Sequence, residues 1–346
     1  SFPQGQNAVK DSIPVARLTD MLENPGGSFS YNGNFYEYPD IRLVWWAGGN
    51  PFHHHQDLNR MRRAWARPET IIANEWCWNA LAQHADIVLP CTTTLERSDI
   101  AMTSKDPYIV AMDRAIKPVG KSRDDHSIFR GIAAKMDVEE NFTEGRSPQE
   151  WQRWIWDVSR QQAAKVGVTL PDWDSFQRCG WIKVPKPDVS IIMMEQFRAN
   201  PKIHPLSTPS GKIEIHSNTI ASFKYDDCPG HPVWLKPEEW LGAASPLQLH
   251  MISNQPCNKL HSQLDHGSVS KSDRPKGVEP VTMHPRDAAA RGLEAGQIVR
   301  LHNSRGACRA QLTISETIRC GVIQIATGAW YQPDGDTCQH GNPNVL

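Results

Sequence analysis

The sequence has little that would place the protein in a membrane or on nucleic acid. No apolar run approaches the roughly 20 residues that a membrane-spanning helix needs. A formal net charge of −1 and an isoelectric point of about 6.9 give no general attraction to nucleic acid or to an anionic membrane surface. We therefore expect neither nucleic acid nor a membrane span, and the 346 residues leave room for two domains.

Closely spaced cysteines are also missing, because the eight cysteines are scattered and no two of them form a C-x-x-C motif. Zinc ribbons and iron–sulfur clusters need clustered ligands, so we expect no metal ligand and no iron–sulfur cluster in this segment. Free thiols are typical of a reducing compartment, which favours the cytoplasm. The chain begins at Ser1 rather than at Met, so we expect an internal segment of a longer protein, and a periplasmic location stays open.

Motifs for catalysis by side chains alone are absent as well. The sequence shows no Ser-His-Asp set, no GxxxxGKS phosphate loop and no paired general acid and base carboxylates. His53, His54 and His55 invite a metal interpretation, but adjacent side chains point in different directions and no H-E-x-x-H motif completes a site. The chemistry must therefore come from a bound cofactor.

The most informative pattern lies between residues 41 and 75. An apolar run at 41–47 ends at two glycines, a helical pattern follows, and a second apolar run at 70–73 stops near the acidic Glu75. This succession is typical of half of a doubly wound nucleotide-binding unit, in which glycines let the backbone approach a ligand. A glycine turn alone is equally typical of an ordinary turn. With its flanking elements, it predicts an α/β fold containing a Rossmann-like unit.

The composition divides the chain into three regions. Residues 1–40 are predicted as a connecting arm and 41–240 as an α/β domain with a helical insertion at about 139–205. Residues 245–346, in which short apolar runs alternate with glycine turns, are predicted as a mainly β domain. The predicted elements are strands at 41–47, 70–73 and 86–89, a helix at 148–166, a turn into a short strand at 208–215, and a helix at 284–291.

Five sequence blocks together resemble one enzyme family. They are GGNPFHHHQD at 48–57, HADIVLP at 84–90, ERSD at 96–99, KLHSQL at 259–264 and GNPNVL at 341–346. In this order they resemble the bis-molybdopterin guanine dinucleotide oxidoreductases. Within them the chain looks like the branch of dimethyl sulfoxide, trimethylamine N-oxide and biotin sulfoxide reductases, and most like the last of these. The blocks span nearly the whole chain, so the resemblance extends over its length.

The resemblance implies the C-terminal half of a molybdenum oxotransferase. The implied cofactor is molybdenum bis(molybdopterin guanine dinucleotide), the implied reaction is two-electron reduction of an S- or N-oxide, and the second domain would be a six-stranded barrel. The serine that holds the metal in this branch belongs to the N-terminal half, so no catalytic residue is expected here. The partners would be a small S- or N-oxide and an electron donor that the sequence does not identify. A formate-type molybdopterin dehydrogenase and a non-catalytic molybdopterin-binding module remain alternatives.

The resemblance also assigns cofactor contacts to individual residues. They are Gly48, Gly49, Asn50, His54, Asn74, Glu75, Arg97, Asp125, Gln255, His261, Gln263 and Asn344. An aspartate that accepts from guanine N1–H and N2–H₂ would select guanine over adenine, and we favour Asp125 over its neighbour Asp124 for this role. We expect His261 and Gln263 to share one side of an extended chain and to bind the pterin, because alternate residues of a strand share a face.

Several positions depart from the family pattern. Lys259 stands where the family has Arg, Glu75 where it usually has Asp, and Gln255 where a His is common. His53 replaces a frequent Val and is interpreted as incidental. The departures leave the geometry of the Glu75 and Gln255 contacts open.

Three further side chains have two interpretations each. Arg97 either contacts the dinucleotide or forms an ordinary surface ion pair. Trp330 and Tyr331 either line a substrate funnel or pack inside the second domain, and we favour packing because large aromatic rings most often fill cores.

Overall fold

The computed structural model describes residues 2–103, 106–185, 192–272, 274 and 276–346. The chain folds into two compact units, and each unit is assembled from separate segments. Unit 1 consists of Ser1–Ser12, Asn74–Cys77 and Val88–Glu214, and unit 2 consists of Ile13–Ala73, Trp78–Ile87 and Ile215–Leu346. Residues that are distant in sequence are therefore neighbours within each unit.

Unit 2 begins with a helix and a hairpin in the region that the sequence predicts as a connecting arm. The elements are a 3-10 helix at Val15–Arg17, helix α1 (Leu18–Glu23) and the antiparallel strands β1 (Ser28–Tyr31) and β2 (Asn34–Glu37). Asn32 and Gly33 have φ values of 47° and 78°, as the two central residues of a type I′ turn require. The Asn-Gly pair is the sequence feature that predicts such a hairpin, and the arm interpretation overlooks it.

The glycine-turn pattern folds as strand, helix and strand. The elements are β3 (Leu43–Ala47), α2 (Pro51–His54), α3 (Leu58–Trp65), β4 (Thr70–Glu75), α4 (Ala80–Gln83) and β5 (Ile87–Pro90). The three strands form one sheet in the order β3-β4-β5. They match the predicted strands within two residues at each end, and Glu75 is the last residue of β4.

Unit 1 joins a small sheet to a group of helices. Its elements are the 3-10 helix Thr94–Glu96, strands β6 (Asp99–Met102), β7 (Tyr108–Met112) and β8 (Trp181–Lys183), and helices α5 (Asp125–Lys135), α6 (Glu139–Thr143), α7 (Pro148–Lys165), α8 (Trp173–Cys179) and α9 (Glu195–Ala199). Strands β6, β7 and β8 pair antiparallel in that order. In the core of this unit, Trp156 and Phe176 stack with ring centroids 3.9 Å apart.

Helix α7 matches the helix predicted at 148–166. It begins where it does because Ser147 and Glu150 form a capping box, and Pro148 suits the first turn. At 18 residues it is long, but none of the described helices is both long and apolar enough to cross a bilayer.

The second half of unit 2 contains a mixed seven-stranded sheet. Its strands are β9 (His250–Ile252), β10 (Pro280–Met283), β11 (Ile298–His302), β12 (Ala307–Ile314), β13 (Val322–Ile325), β14 (Pro333–Asp334) and β15 (Thr337–Cys338), accompanied by helices α10 (Asn218–Ser222), α11 (Ser268–Lys271) and α12 (Pro285–Ala289) and 3-10 helices at Leu241–Ala243 and Pro343–Val345. The order is β14-β15-β12-β10-β13-β9, with β11 paired to β12. The resemblance implies six strands, and the two-residue strands β14 and β15 contribute to the count of seven.

Two predicted elements differ from the structure. The helix predicted at 284–291 is the shorter α12, because His284 is its N-cap and accepts from the Arg286 N–H at 3.1 Å. Residues 208–215, all of which the structure describes, form turns rather than a turn and a strand. Ile213 and Ile215 are 65% and 82% exposed, so neither side chain is buried in a core of the described residues, which an apolar strand would need.

Alternate residues of the sheet supply the core of unit 2. Val281 of β10, Leu312 of β12 and Ile325 of β13 are all at most 1% exposed. Phe52 of α2 stacks on Tyr331 with ring centroids 5.7 Å apart. The residues around the glycine turn are therefore packed on the same core as the sheet.

Candidate functional site

The turn after β3 presents open backbone and one unsatisfied donor. Gly48 and Gly49 have φ values of +83° and +72°, which L side chains rarely adopt, and a Cβ at Gly48 would meet no atom within 4 Å. Asn50 is buried, and its Oδ1 accepts from the Phe52 N–H at 3.0 Å, which caps α2. Within the described residues, its Nδ2 has no hydrogen-bond partner. A buried amide of this kind is available to a ligand that brings an acceptor.

The structure gives His53 specific contacts, whereas the sequence interpretation treats it as incidental. The ring is buried, its Nδ1 lies 2.6 Å from Ser262 Oγ, and it stacks on Trp330 with ring centroids 5.7 Å apart. Burial and, second, the neighbouring His54 lower the pKa of His53 to about 4, so the ring is neutral at pH 7. Its Nε2 is buried and makes no hydrogen bond to any described residue. The exposed His54 meets His261 edge-on, with ring centroids 5.8 Å apart.

Residues 259–265, which we call the 259–265 loop, are buried at every third position. The side chains of Lys259, Ser262 and Asp265 are buried, and the residues between them are exposed. The prediction that His261 and Gln263 share one side of an extended chain is wrong, because the segment is a series of turns and His261 has a φ of +50°. Both side chains are exposed on this loop nevertheless.

Gln255 lies just before this loop. It is exposed, and its Nε2 donates to the Lys259 carbonyl at 3.0 Å. Gln255, His261 and Gln263, the three residues predicted to bind pterin through this region, therefore belong to one short stretch of unit 2.

Four buried charged side chains hold the two ends of the loop, and the sequence analysis did not identify this group. Lys259 Nζ pairs with Asp265 at 2.6 Å and also with Glu279, and Arg274 Nη2 reaches Asp265 at 2.8 Å. All four side chains are at most 5% exposed. Burial alone would raise the pKa of Asp265, but the hydrogen bond and charge of Lys259 and the charge of Arg274 hold it below its ordinary value. Two cations balance two carboxylates, so no charge in the group is uncompensated.

Trp330 and Tyr331 pack against the same part of unit 2. Trp330 Nε1 donates to the Ser262 carbonyl at 2.9 Å, and its backbone N–H donates to Asp265 Oδ2 at 3.0 Å. Tyr331 is 2% exposed, and its hydroxyl donates to Asn59 Oδ1 at 2.9 Å. The packing interpretation is therefore confirmed for Tyr331, and Trp330 supports the 259–265 loop.

The last block of the sequence places Asn344 in a 3-10 helix, partly exposed. Its N–H donates to Oδ1 of Asn342 at 2.9 Å. Asn342, which the sequence analysis did not single out, is 1% exposed, and its Nδ2 donates to the Ala329 carbonyl at 2.8 Å. Asn342 thus holds the C-terminal segment 341–346 in place, and Asn344 beside it remains partly exposed.

In unit 1 the structure brings two predicted contact residues together. Asn74 Nδ2 donates to Asp125 Oδ1 at 2.8 Å. The rival Asp124 is the N-cap of α5, and its two oxygens accept from the N–H and hydroxyl of Ser127 at 2.9 and 2.7 Å. Asp125 is exposed in the first turn of the same helix. This geometry favours Asp125 as the carboxylate that binds a ligand.

The other predicted contacts of unit 1 are Glu75 and Arg97. Glu75 is 7% exposed. Burial first, and then the charges of Asp125 and Glu75, raise the pKa of the Cys91 thiol to about 11. Arg97 forms an ion pair with Asp99, a contact that either interpretation of Arg97 allows. A guanidinium has five N–H donors, so this pairing still permits a dinucleotide contact.

The lowered pKa of His53 predicts an acid-dependent loss of stability. The folded pKa of about 4 lies below the ordinary 6.5, so the unfolded state binds more protons between these pH values. The free energy of unfolding should therefore fall by up to about 3 kcal/mol as pH drops from 6.5 to 4. Chemical unfolding at several pH values measures this decrease in the wild type and in His53→Gln. We expect a smaller decrease in the free energy of unfolding in His53→Gln. His55, His84 and His340, whose pKa values burial also lowers, cancel in the difference. Equal pH slopes for the two proteins would contradict the assignment.

Two family models match separate parts of the chain. The Molybdopterin oxidoreductase model matches residues 9–135, which include the glycine turn, Asn74 and Asp125. The Molydopterin dinucleotide binding domain model matches residues 249–346, which include the 259–265 loop and Asn344. Every predicted contact residue lies inside one of the two matched regions.

Individual relatives match over nearly the whole chain. The chain is 45% identical to the biotin sulfoxide reductase of Cereibacter sphaeroides, over 100% of this chain and 47% of the relative. It is 41% identical to the dimethyl sulfoxide/trimethylamine N-oxide reductase of Rhodobacter capsulatus, over 96% of this chain and 42% of the relative. The chain thus spans somewhat less than half the length of these relatives.

Among solved structures, the acetylene hydratase of Pelobacter acetylenicus has the same fold over 89% of this chain and 41% of its own, with a TM-score of 0.66 and 18% sequence identity. Its likeness concerns the fold alone. The two matched family models and the relatives agree with the motif blocks in the sequence and with the grouping of the contact residues in each unit. The chain belongs to the molybdopterin oxidoreductase family.

Proposed function

We propose that the chain is the C-terminal part of a molybdenum oxotransferase that reduces S-oxides or N-oxides by two-electron oxygen-atom transfer. The observation that carries this proposal is the 45% identity over the whole chain to a biotin sulfoxide reductase. The relatives' names indicate biotin sulfoxide, dimethyl sulfoxide and trimethylamine N-oxide as substrates to consider, and methionine sulfoxide is a further S-oxide of the same class.

The residues present fit the cofactor that we propose, molybdenum bis(molybdopterin guanine dinucleotide). When bound, it supplies the redox chemistry that side chains of this segment do not offer. In unit 2, the buried Asn50 Nδ2 and His53 Nε2 need hydrogen-bond partners, and a ligand rich in phosphate, ribose and ring acceptors would provide them. In unit 1, Asp125 is held by Asn74 and has acceptor sites for the N–H edge of guanine.

The roles of this segment's residues are to bind and orient. We assign the dinucleotide to Gly48, Gly49, Asn50, His54, Asn74, Glu75, Arg97 and Asp125, and the pterin to Gln255, His261, Gln263 and Asn344. None of these residues is proposed as a nucleophile or as a proton donor. The serine that holds the metal is expected outside this segment.

Finer features of the architecture belong to the same proposal. We infer that β3, α3, β4 and β5 form part of a Rossmann-like doubly wound unit, supported by the strand order β3-β4-β5. The seven-stranded sheet would correspond to the family's barrel, with domains at 41–240 and 245–346. We also propose a cytoplasmic location, supported by the absence of disulfides among the eight cysteines, all of which the structure describes.

The reaction itself is tested with the complete protein and reduced viologen as electron donor. We expect reduction of biotin sulfoxide or methionine sulfoxide, and weaker reduction of trimethylamine N-oxide. Residues 1–346 alone should be inactive, because the proposed metal ligand lies outside them. Dye reduction with formate and no sulfoxide activity would assign the protein to the dehydrogenases instead. Activity of the isolated segment would show that the chemistry resides on residues assigned here to cofactor binding.

A further inference from the structure

The 259–265 loop is closed on itself by its own end residues. Lys259, its first residue, pairs through Nζ with Asp265, its last, at 2.6 Å. The same Nζ pairs with Glu279, so one ammonium joins both ends of the loop to the residue that precedes β10. Because the pairing is almost fully buried, water does not compete with it, and the two ends of the loop are fixed.

The middle of the loop has further restraints besides the ion pairs at its ends. Ser262 lies 2.6 Å from His53 Nδ1 through its hydroxyl, and its carbonyl accepts from Trp330 Nε1 at 2.9 Å. Gly328 approaches the His261 carbonyl so closely that a Cβ at this position would overlap it. Two separate parts of unit 2, His53 and the segment 328–330, therefore restrain the centre of a seven-residue loop.

The residues between these anchors are turned outward. Leu260 and Leu264 are 58% and 59% exposed, and His261 and Gln263 are exposed between them. Two aliphatic side chains beside an imidazole and an amide suit a flat heterocycle with donors and acceptors along its edge. Because the loop is already ordered, little conformational entropy is lost when these groups bind a ligand.

We propose that Lys259 is a positioning residue for cofactor binding, which acts by fixing the 259–265 loop so that His261 and Gln263 are presented to the pterin. The inference rests on the proposed function. Lys259 makes no contact with the ligand in this account. Without Lys259, Asp265 and Glu279 share Arg274 alone, and the loop loses the pairing that closes it.

A matched control separates positioning from general stability. Arg60 also pairs with two carboxylates in the same unit, Asp20 and Glu23, both at 2.6 Å. Its side chain is 39% exposed, against 1% for Lys259, and its partners lie on α1 rather than on the loop. The complete protein is compared as wild type, Lys259→Met, Lys259→Arg, Ser262→Ala and Arg60→Met. For each variant we measure the molybdenum and GMP content per polypeptide and the melting temperature. We also measure the hydrogen exchange of the amides of residues 260–264 in cofactor-free protein.

In Lys259→Met, we expect loop exchange to accelerate and cofactor content to fall by about 10- to 100-fold, the range typical of lost supporting residues around a metal site. Lys259→Arg should recover most of both, because it restores a buried cation. Ser262→Ala should show a smaller loss of the same kind. Arg60→Met should lower the melting temperature and leave loop exchange and cofactor content unchanged.

Two results would overturn this inference and leave the proposed function standing. One is wild-type cofactor content in Lys259→Met, and the other is an equal loss of cofactor in Arg60→Met, which would trace the effect to general destabilisation. If Lys259→Met does not accumulate, Ser262→Ala decides, because it removes an anchor without leaving a buried charge. Unchanged loop exchange and cofactor content in that variant would then reject the proposal. A wild-type protein without molybdenum and GMP would reject the proposed function, and this inference with it.

Discussion

Replacing Asp125 by Ala should weaken cofactor binding by roughly 2–4 kcal/mol, or about 30- to 1000-fold, because two guanine N–H donors would lose a charged acceptor. Asp125→Asn should recover little, since an amide has only one accepting atom. The Asn variant still offers an oxygen to Asn74 Nδ2, so its failure to rescue would point to the ligand and not to the fold. The measurement is molybdenum and GMP per polypeptide after purification and dialysis.

Asp124→Ala is the control for this experiment. It removes the N-cap that accepts from the Ser127 N–H, and we expect a loss of about 1 kcal/mol in the free energy of unfolding. Cofactor content should stay at the wild-type level. Unchanged occupancy in both Asp125 variants, or a loss confined to Asp124→Ala, would show that the binding carboxylate has been misplaced.

The second large effect is expected at Gly328, which packs against the backbone of the 259–265 loop. An Ala Cβ would overlap the carbonyl oxygen of His261, and the φ of +97° is one that L residues rarely adopt. Because the clash is with main chain rather than with a mobile side chain, we expect a loss of about 2–5 kcal/mol in the free energy of unfolding. Chemical unfolding followed by tryptophan fluorescence measures it.

Gly296→Ala separates backbone strain from the clash. Gly296 has a φ of +81°, and a Cβ there would meet no atom within 4 Å, so strain alone should cost about 1–2 kcal/mol. The difference between the two variants is the contribution of the contact with His261. An equal loss in the free energy of unfolding in the two variants would contradict the inference that the contact between Gly328 and His261 restrains the loop.

The local elements could be predicted from sequence because short-range rules fix them. Helix α7 follows from the capping box of Ser147 and Glu150, and the strands around the glycine turn follow from apolar runs. The hairpin at Asn32 and Gly33 was equally predictable from its turn residues. The strand expected at 208–215 failed because its pattern needs a neighbouring strand, which the sequence does not reveal.

The candidate site was predictable where residue types match a known pattern, and not where it depends on tertiary contacts. Asn74 and Asp125 are 51 residues apart, and no sequence pattern indicates that they form a hydrogen bond. In the sequence, Lys259 is only a position where the family has Arg, and the fold shows that it meets Asp265 and Glu279 in a buried group. His53 looked incidental for the same reason, since its partner Ser262 lies 209 residues away.

The central claim is that this chain binds a molybdopterin guanine dinucleotide. The most direct test is acid hydrolysis of the complete protein, purified from a host that makes this cofactor, with nucleotide and metal analysis of the product. We expect GMP together with near-stoichiometric molybdenum or tungsten. Release of AMP or CMP in place of GMP, or purified protein that carries no molybdenum or tungsten, would contradict the proposed binding of this cofactor.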